Sequence, residues 1–106
     1  MVLTGGVGSE RTISLETGRF VTQAIEQAGY NVTCRDIKPD DLSALDQKGV
    51  DLYFIAQHGK FGEGGELQEI LEDRRAVFTG SSAEASKIAF DKIECNRILK
   101  NAGITV

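Results

Sequence analysis

Two kinds of apolar pattern alternate along this chain, and together they predict strands that alternate with helices. The longest unbroken apolar run, residues 52–56 (LYFIA), is typical of a strand that is buried on both faces in the middle of a parallel sheet. Shorter apolar segments predict further strands at residues 2–4, 31–37, 76–78 and 104–106. This alternation argues for an α/β fold with a mostly parallel sheet and helices on both faces.

The helices are expected where apolar residues recur every three or four positions. For the first helix, Ser14 is the expected N-cap and Gly29 the expected end. Its apolar stripe comprises Leu15, Val21, Ala24, Ile25 and Ala28. A short helical turn is expected after Pro39, and a short helix at residues 67–71.

Two more helices are expected near the end of the chain. Ser81 and Glu84 have the spacing of a capping box for the first of them. Asp91 is expected to restart the second and Gly103 to close it. The residues expected to face the core are Ala85, Ile88 and Ala89, then Ile93, Ile98, Leu99 and Ala102.

Length and charge narrow the class of protein. The 106 residues predict one domain, and a net charge of −4 argues against a nucleic-acid surface, which usually needs a basic face. No apolar run approaches the roughly 18 residues of a membrane span, and no signal peptide is recognisable. Cys34 and Cys95 share no metal or redox spacing, so reduced thiols in a cytoplasmic protein are expected. Both ends fall within expected elements, so we expect the chain to be part of something longer.

The only histidine of the chain, His58, directly follows the most apolar strand and precedes a loop with four glycines. Glu10 follows the first strand in the same way. Ligands of open α/β sheets bind outside the carboxyl ends of the strands. We therefore expect Glu10 and His58 to share one cleft, where the carboxylate could bind an ammonium group and the imidazole could donate to a carboxylate or transfer a proton. The alternatives are a half-buried packing histidine and a glutamate favoured by the helix dipole alone.

Two further features allow both a structural and a functional interpretation. Gly5, Gly6 and Gly8 either form a strand-to-helix turn or bring the backbone close to a ligand, but no complete phosphate-binding motif is present. Lys92 opposes the dipole at an expected helix start, so it is either a solvated lysine or a ligand contact. One histidine with no nearby cysteine makes no transition-metal site, so no metal ligand is expected.

Four blocks of residues resemble, in order and spacing, those of the D-alanine–D-alanine ligase family. The first is Gly5-Gly6-x-x-Ser9-Glu10-Arg11-x-x-Ser14-Leu15. The second is His58-Gly59-x-x-Gly62-Glu63-x-Gly65-x-x-Gln68-x-x-Leu71-Glu72. The third and fourth are Phe78-Thr79-Gly80-Ser81 and Asp91-Lys92. Each block is weak alone, but four in register over nearly the whole chain are specific.

The resemblance implies a Rossmann-like three-layer α/β sandwich, the N-terminal domain that precedes an ATP-grasp part, with residues 1–106 forming that single domain and the ATP-grasp part absent from this chain. Members of the family join two D-alanines through an acyl-phosphate, using ATP and Mg²⁺, for cell-wall peptidoglycan synthesis. The resemblance also implies a cytoplasmic homodimer as the full-length protein. ATP and Mg²⁺ are expected to bind that enzyme and not this chain alone, which we expect to be folded but inactive.

Residue roles follow from the matched blocks. The resemblance implies that Glu10 holds the ammonium group of the first D-alanine, that His58 lines the same pocket, and that Lys92 reaches a phosphate of ATP. Glu10 and His58 are the expected catalytic pair. The expected substrate-binding residues are Gly5, Gly6, Glu10, Ser14, His58 and Gly59.

Three departures from the family pattern concern the glycine loop. Gly64 replaces a common acidic residue, Gln57 a common aliphatic residue, and Glu69 a common glycine. The acceptor is left open among D-alanine, D-lactate and D-serine. A non-catalytic Rossmann-like binding domain is the alternative from another functional class.

Overall fold

The computed structural model describes all 106 residues. Its elements follow one another as β1 (Val2–Gly5), α1 (Arg11–Gln27), β2 (Cys34–Ile37), a 3₁₀ turn (Ser43–Asp46), β3 (Phe54–Ile55), α2 (Lys60–Glu63), α3 (Glu66–Asp73), α4 (Ala83–Phe90) and α5 (Lys92–Asn101). The predicted α/β fold with a parallel sheet is confirmed. None of the helices combines the length and the apolar character needed to cross a membrane.

Strand β1 lies in the middle of the sheet, whose order is β2-β1-β3 with both pairs parallel. Val2 lies opposite Cys34 on one side and opposite Phe54 on the other. A single parallel bridge from Tyr53 to Phe78 marks the strand predicted at residues 76–78. Because the strands are parallel, β1 and β3 both end at the same edge of the sheet.

The apolar run at residues 52–56 is less buried than its composition predicts. Tyr53 and Ala56 are buried, but Leu52 is 45% exposed and Phe54 and Ile55 are partly exposed. Phe54 and Ile55 form β3, and Tyr53 makes the bridge to Phe78. The middle strand of the sheet is β1, and all four of its residues are buried because α3 covers Leu3 on one face and α1 covers Thr4 on the other.

The hydrophobic core lies between the sheet and α3. Leu3 of β1, Ile37 of β2, and Leu67 and Leu71 of α3 are completely buried, and Phe61 of α2 packs with them. Leu67 and Leu71 are four positions apart, so both lie on one face of the helix. The helix predicted at residues 67–71 is thereby confirmed as the one that covers this face of the sheet.

Helix α1 packs on β1 through small residues and not through the predicted apolar stripe. Ser14 and Gly18 are its only buried residues, whereas Leu15 is 39% exposed. A Cβ atom at position 18 would lie 2.6 Å from the Cβ of Thr4, so the close approach of the helix requires glycine. The Thr4 hydroxyl donates to the carbonyl oxygen of Ser14 and fastens the contact.

Two predicted N-caps are wrong. Helix α1 begins at Arg11 with Glu10 as the N-cap residue, so Ser14 lies inside the helix. The N-cap of α4 is Ser82, whose Oγ accepts from the backbone N–H of Ala85 at 3.2 Å, and not Ser81. Ser81 and Ser82 are adjacent in the sequence, but only the Oγ of Ser82 makes the capping hydrogen bond.

Near the end of the chain, the position of the last helix agrees with the prediction better than the burial of its side chains does. Asp91 caps α5 as predicted, but α5 has no buried residue, and Ile93 on its predicted core face is 85% exposed. Residues 104–106 form no strand. The short helix α2 lies within the glycine loop, where no helix is predicted from the sequence.

Candidate functional site

The ends of β1 and β3 bring together the two side chains that the sequence singles out. Glu10 lies at the start of α1, after β1, and His58 lies three residues past β3. One ligand-type atom from each of Glu10, His58 and Glu63 lies within 4.8 Å of the others. The expected approach of Glu10 and His58 to each other is therefore present, and Glu63 of α2 joins them.

Helix α1 holds His58 at two points. The backbone N–H of His58 donates to Oγ of Ser14 at 2.7 Å, and its Nε2 lies 3.0 Å from Oγ1 of Thr17. Ser14 is completely buried and its Oγ accepts this hydrogen bond, so it positions the backbone of His58 and is not exposed to a substrate. Thr17 is missed by the sequence reasoning, although its spacing from Ser14 places both on one helix face.

Glu63 and Glu10 surround the other side of the imidazole. Oε2 of Glu63 accepts from the backbone N–H of Gly59 at 2.7 Å, while its Oε1 lies 3.9 Å from Nδ1 of His58. The Glu10 side chain lies against Gly59, since a Cβ atom there would be 3.8 Å from its Oε2. The Glu10 carboxylate is exposed and has no hydrogen-bond or ion-pair partner, so it is free to bind a cationic group.

An ion pair between Arg11 and Asp36, which the sequence does not reveal, fixes the Gly5–Gly6 turn. Arg11 donates to the carbonyl oxygen of Gly6 at 3.0 Å and to both carboxylate oxygens of Asp36. Gly5 and Gly6 have φ angles of +91° and +77°, which favour glycine. The hydrogen bond from Arg11 lowers the pKa of Asp36, so the pair stays charged at neutral pH.

Gln57 ties the three strand ends together beneath this turn. Its Nε2 donates to the carbonyl oxygens of Thr4 at 2.9 Å and Ile37 at 2.7 Å. A Cβ atom added at Gly6 would lie 2.9 Å from Oε1 of Gln57, and one added at Gly62 would collide with Cβ of Gln57. The glutamine that departs from the family pattern therefore fits a slot between two glycines.

A cleft of about 460 Å³ opens beside His58, between α1, the end of β3 and α4. Thr17, Gln57, His58 and Glu63 are among its lining residues. A larger groove of about 650 Å³ lies at the opposite edge of the sheet, around Met1 and Tyr30, and holds none of the candidate side chains. The smaller cleft is the candidate site because His58 and Glu63 line it. Glu10 lies next to these two side chains but does not itself line the cleft.

Lys92 is not brought to this cluster. It is the first residue of α5, it is exposed, and it makes no hydrogen bond or ion pair. It does not line the cleft beside His58. Its ammonium group is therefore free for a ligand that reaches α5.

The Glu10–His58–Glu63 cluster is a mixed set of oxygen and nitrogen donors. Magnesium prefers six oxygen ligands in octahedral geometry, so an imidazole-containing set does not fit it. The ring nitrogen Nε2 is also occupied by Thr17. We therefore assign no Mg²⁺ to these residues.

Comparison with known proteins gives one consistent result. No protein-family model matches the chain. A D-alanine–D-alanine ligase of Syntrophotalea carbinolica is 43% identical over 103 residues, which are 97% of this chain and 34% of that protein. The crystal structure of the D-alanine–D-alanine ligase from Aeromonas hydrophila superposes with a TM-score of 0.85 at 33% identity, over 97% of this chain and 41% of that one.

A third match carries a nucleotide. The crystal structure of the D-alanine–D-alanine ligase from Bacillus anthracis complexed with ATP superposes with a TM-score of 0.79 at 31% identity, over 96% of this chain and 35% of that one. The chain spans about a third of the length of the curated relatives it matches. The matched part of these relatives is their N-terminal portion.

Proposed function

Since this chain belongs to the D-alanine–D-alanine ligase family and matches the N-terminal portion of its members, we propose that it supplies the first-substrate site of an ATP-dependent D-alanine–D-alanine ligase. The full-length protein would make the D-alanyl-D-alanine dipeptide for peptidoglycan synthesis. One observation carries the proposal, namely the convergence of Glu10 and His58 at the carboxyl edge of the parallel strands β1 and β3. That edge is where open α/β sheets bind ligands.

Glu10 is the proposed anchor for the ammonium group of the first D-alanine. Its carboxylate is exposed and has no protein partner, which supports this role. A charge-assisted hydrogen bond from an ammonium group is about twice as strong as a neutral one. The Gly5–Gly6 turn, held by Arg11, would shape the same pocket, and Gly59 would border it.

His58 is the proposed orienting and proton-handling group. Ser14 and Thr17 fix its backbone and its ring, so the imidazole is held in one orientation before a ligand arrives. Such preorganisation lets a donor act on developing charge without reorganising during the reaction. The group that it faces would be the carboxylate of the first D-alanine or the phosphoryl group formed on it.

The proposed reaction has two steps. A carboxylate oxygen of the first D-alanine attacks the γ-phosphorus of ATP, and ADP leaves. The amine of the second D-alanine then attacks the acyl carbon, loses its proton as the amide bond forms, and inorganic phosphate leaves. The free ammonium group of Lys92 fits a contact with an ATP phosphate, and Mg²⁺ would accompany the nucleotide on groups outside the Glu10–His58–Glu63 cluster.

The family resemblance also supports proposals about the whole protein. We propose a cytoplasmic homodimer in which residues 1–106 form one N-terminal domain and the remaining length supplies most of the nucleotide site. The 106-residue chain alone is then expected to be folded and inactive. Phosphate release from it at the ordinary rate of an enzyme would contradict this expectation.

Titration of the full-length protein with D-alanine, with and without Glu10→Gln, tests the proposal. Loss of a charge-assisted hydrogen bond costs about 1.5–3 kcal/mol, which weakens first-site binding roughly tenfold to 150-fold. Glu16→Gln is the matched control because Glu16 is an exposed glutamate of the same helix. We expect the control to bind D-alanine as the wild type does.

ATP-dependent phosphate release separates the alternatives. Release that requires only D-alanine and ATP supports the proposal. Faster release with D-lactate or D-serine as the second substrate would identify a related ligase with another acceptor. Absence of D-alanine binding to both the wild type and Glu10→Gln would overturn the proposal in favour of a non-catalytic binding domain.

A further inference from the structure

Thr17 of α1 contacts the ring of the only histidine in the chain. Its Oγ1 lies 3.0 Å from Nε2 of His58, and both residues line the cleft between α1 and α4. Ser14, one turn earlier on the same face, accepts from the backbone N–H of His58. One face of α1 therefore fixes both the main chain and the ring of this residue.

The direction of the Thr17 hydrogen bond follows from the acceptors within its reach. A threonine inside a helix often donates to the carbonyl oxygen four residues earlier. Thr22 of the same helix does so, since its hydroxyl donates to the carbonyl of Gly18 at 2.6 Å. Thr17 makes no such bond, and Nε2 of His58 is its one side-chain partner. A hydroxyl hydrogen directed at Nε2 leaves that nitrogen without a proton.

The surroundings of the other ring nitrogen favour the same state. Nδ1 lies 3.9 Å from Oε1 of Glu63, and the other oxygen of that carboxylate is fixed by the backbone N–H of Gly59. An ionised carboxylate only accepts hydrogen bonds, so it favours an N–H group over a lone pair on the nitrogen that faces it. At 3.9 Å the attraction is electrostatic and no direct hydrogen bond forms, so Nδ1 has no hydrogen-bond partner within the protein.

We propose that Thr17 is a positioning residue that holds neutral His58 in the tautomer with its proton on Nδ1. In the site proposed above, on which this inference rests, that N–H is the donor for an anionic oxygen of the first substrate. The acceptor nitrogen, Nε2, faces α1 and contacts Thr17. His58 then binds substrate as a hydrogen-bond donor, and protonation at Nε2 requires the Thr17 hydroxyl to turn away.

Nitrogen-15 NMR of the imidazole tests the tautomer directly. His58 is the only histidine, so its ring signals in the 106-residue chain are free of overlap. Above the pH range in which imidazoles titrate, we expect the wild type to show an unprotonated Nε2 and a protonated Nδ1. A protonated Nε2 in the wild type would overturn the proposal without any variant.

Three variants assign the effect to the Thr17 hydroxyl. Thr17→Val keeps the side-chain shape and is expected to lose the tautomer preference, and Thr17→Ser is expected to restore it. Thr22→Val is the matched control, because Thr22 lies on the same helix and bonds only to Gly18. Ring signals that are the same in Thr17→Val and in the wild type would show that the hydroxyl does not set the tautomer.

Kinetics of the full-length protein test the link to the reaction. We expect Thr17→Val to lower kcat/KM for D-alanine by about tenfold, the equivalent of one hydrogen bond. The KM for ATP should stay unchanged, and Thr17→Ser should recover the loss. Unchanged kinetics in Thr17→Val would overturn the role in the reaction. A wild type with the expected tautomer but no phosphate release would overturn the proposed ligase function and leave the tautomer assignment standing.

Discussion

Replacing Gly18 by alanine tests how closely α1 approaches the sheet, because two effects of opposite sign compete there. Helix propensity alone predicts that alanine stabilises the exposed interior of a helix by about 1 kcal/mol. The added Cβ, however, would lie 2.6 Å from the Cβ of Thr4, well inside van der Waals contact. The helix must then move outward or Thr4 must rotate.

The structure indicates that the steric effect wins. Overpacking of this kind costs about 1–3 kcal/mol, and loss of the hydrogen bond from Thr4 to Ser14 adds about 0.5–1.5 kcal/mol. After the propensity gain, we expect Gly18→Ala to lower the free energy of unfolding by about 0.5–3.5 kcal/mol. A central value near 2 kcal/mol lowers Tm by roughly 8–16 °C in a domain of this size.

Urea unfolding of the chain, followed by circular dichroism, measures this change. Ala24→Gly is the control, since Ala24 is exposed on the same helix and reports propensity alone, with an expected loss of about 1 kcal/mol. If Gly18→Ala raises the urea midpoint with an unchanged slope, α1 does not approach β1 as closely as described. Ser14 and Thr17 would then lie too far from β3 to bond to His58 as described.

Two further predictions concern an ion pair and a helix cap. Because the hydrogen bond from Arg11 lowers the pKa of Asp36, the pair stabilises the fold above the ordinary carboxyl range, and the stabilisation disappears as the pH falls through the lowered pKa. Asp36→Asn should therefore lower the urea midpoint at pH 7, and this loss should shrink steadily as the pH falls below the ordinary carboxyl range. A loss that does not change with pH would contradict the pairing. Ser82→Ala should lower the free energy of unfolding by about 1 kcal/mol through loss of the bond from Ala85, whereas thermal melts should show almost no change for Ser81→Ala.

The meeting of Glu10 and His58 could be predicted from the sequence because it depends on local rules. Each residue comes after an apolar segment, and parallel strands place the residues beyond their carboxyl ends at one edge of the sheet. The ends of α1 and α5 at Gly29 and Gly103 are local in the same way, since glycine takes the left-handed backbone that ends a helix.

The packing face of α1 could not be found from apolar periodicity. The residues that touch the sheet are Ser14 and Gly18, which an apolar count leaves out, and Leu15 beside them is largely solvated. Small residues three or four positions apart were the available signal, because only such residues let a helix backbone come near a strand. Whether they do so depends on Thr4 of β1, which the helix sequence does not contain.

Contacts between residues that are distant in the chain could not be predicted from the sequence either. Arg11 belongs to a recognisable block, but its partner Asp36 lies in β2 and carries no local signal. Gln57 is a departure from the family pattern, and its place between Gly6 and Gly62 is visible only once three strand ends are assembled. The middle position of β1 in the sheet likewise depends on strand order, which local sequence does not fix.

The central place of β1 in the sheet also bears on how the protein assembles on the ribosome. Leu3 pairs with Arg35 on one side and Ile55 on the other, so β1, once it has left the exit tunnel, waits about fifty residues for its second neighbour. At translation rates of about 5–20 residues per second, that wait lasts roughly 3–10 s. Until then the apolar segment that forms β1 stays unprotected, so nascent chains should bind chaperones there most strongly before residue 55 is released.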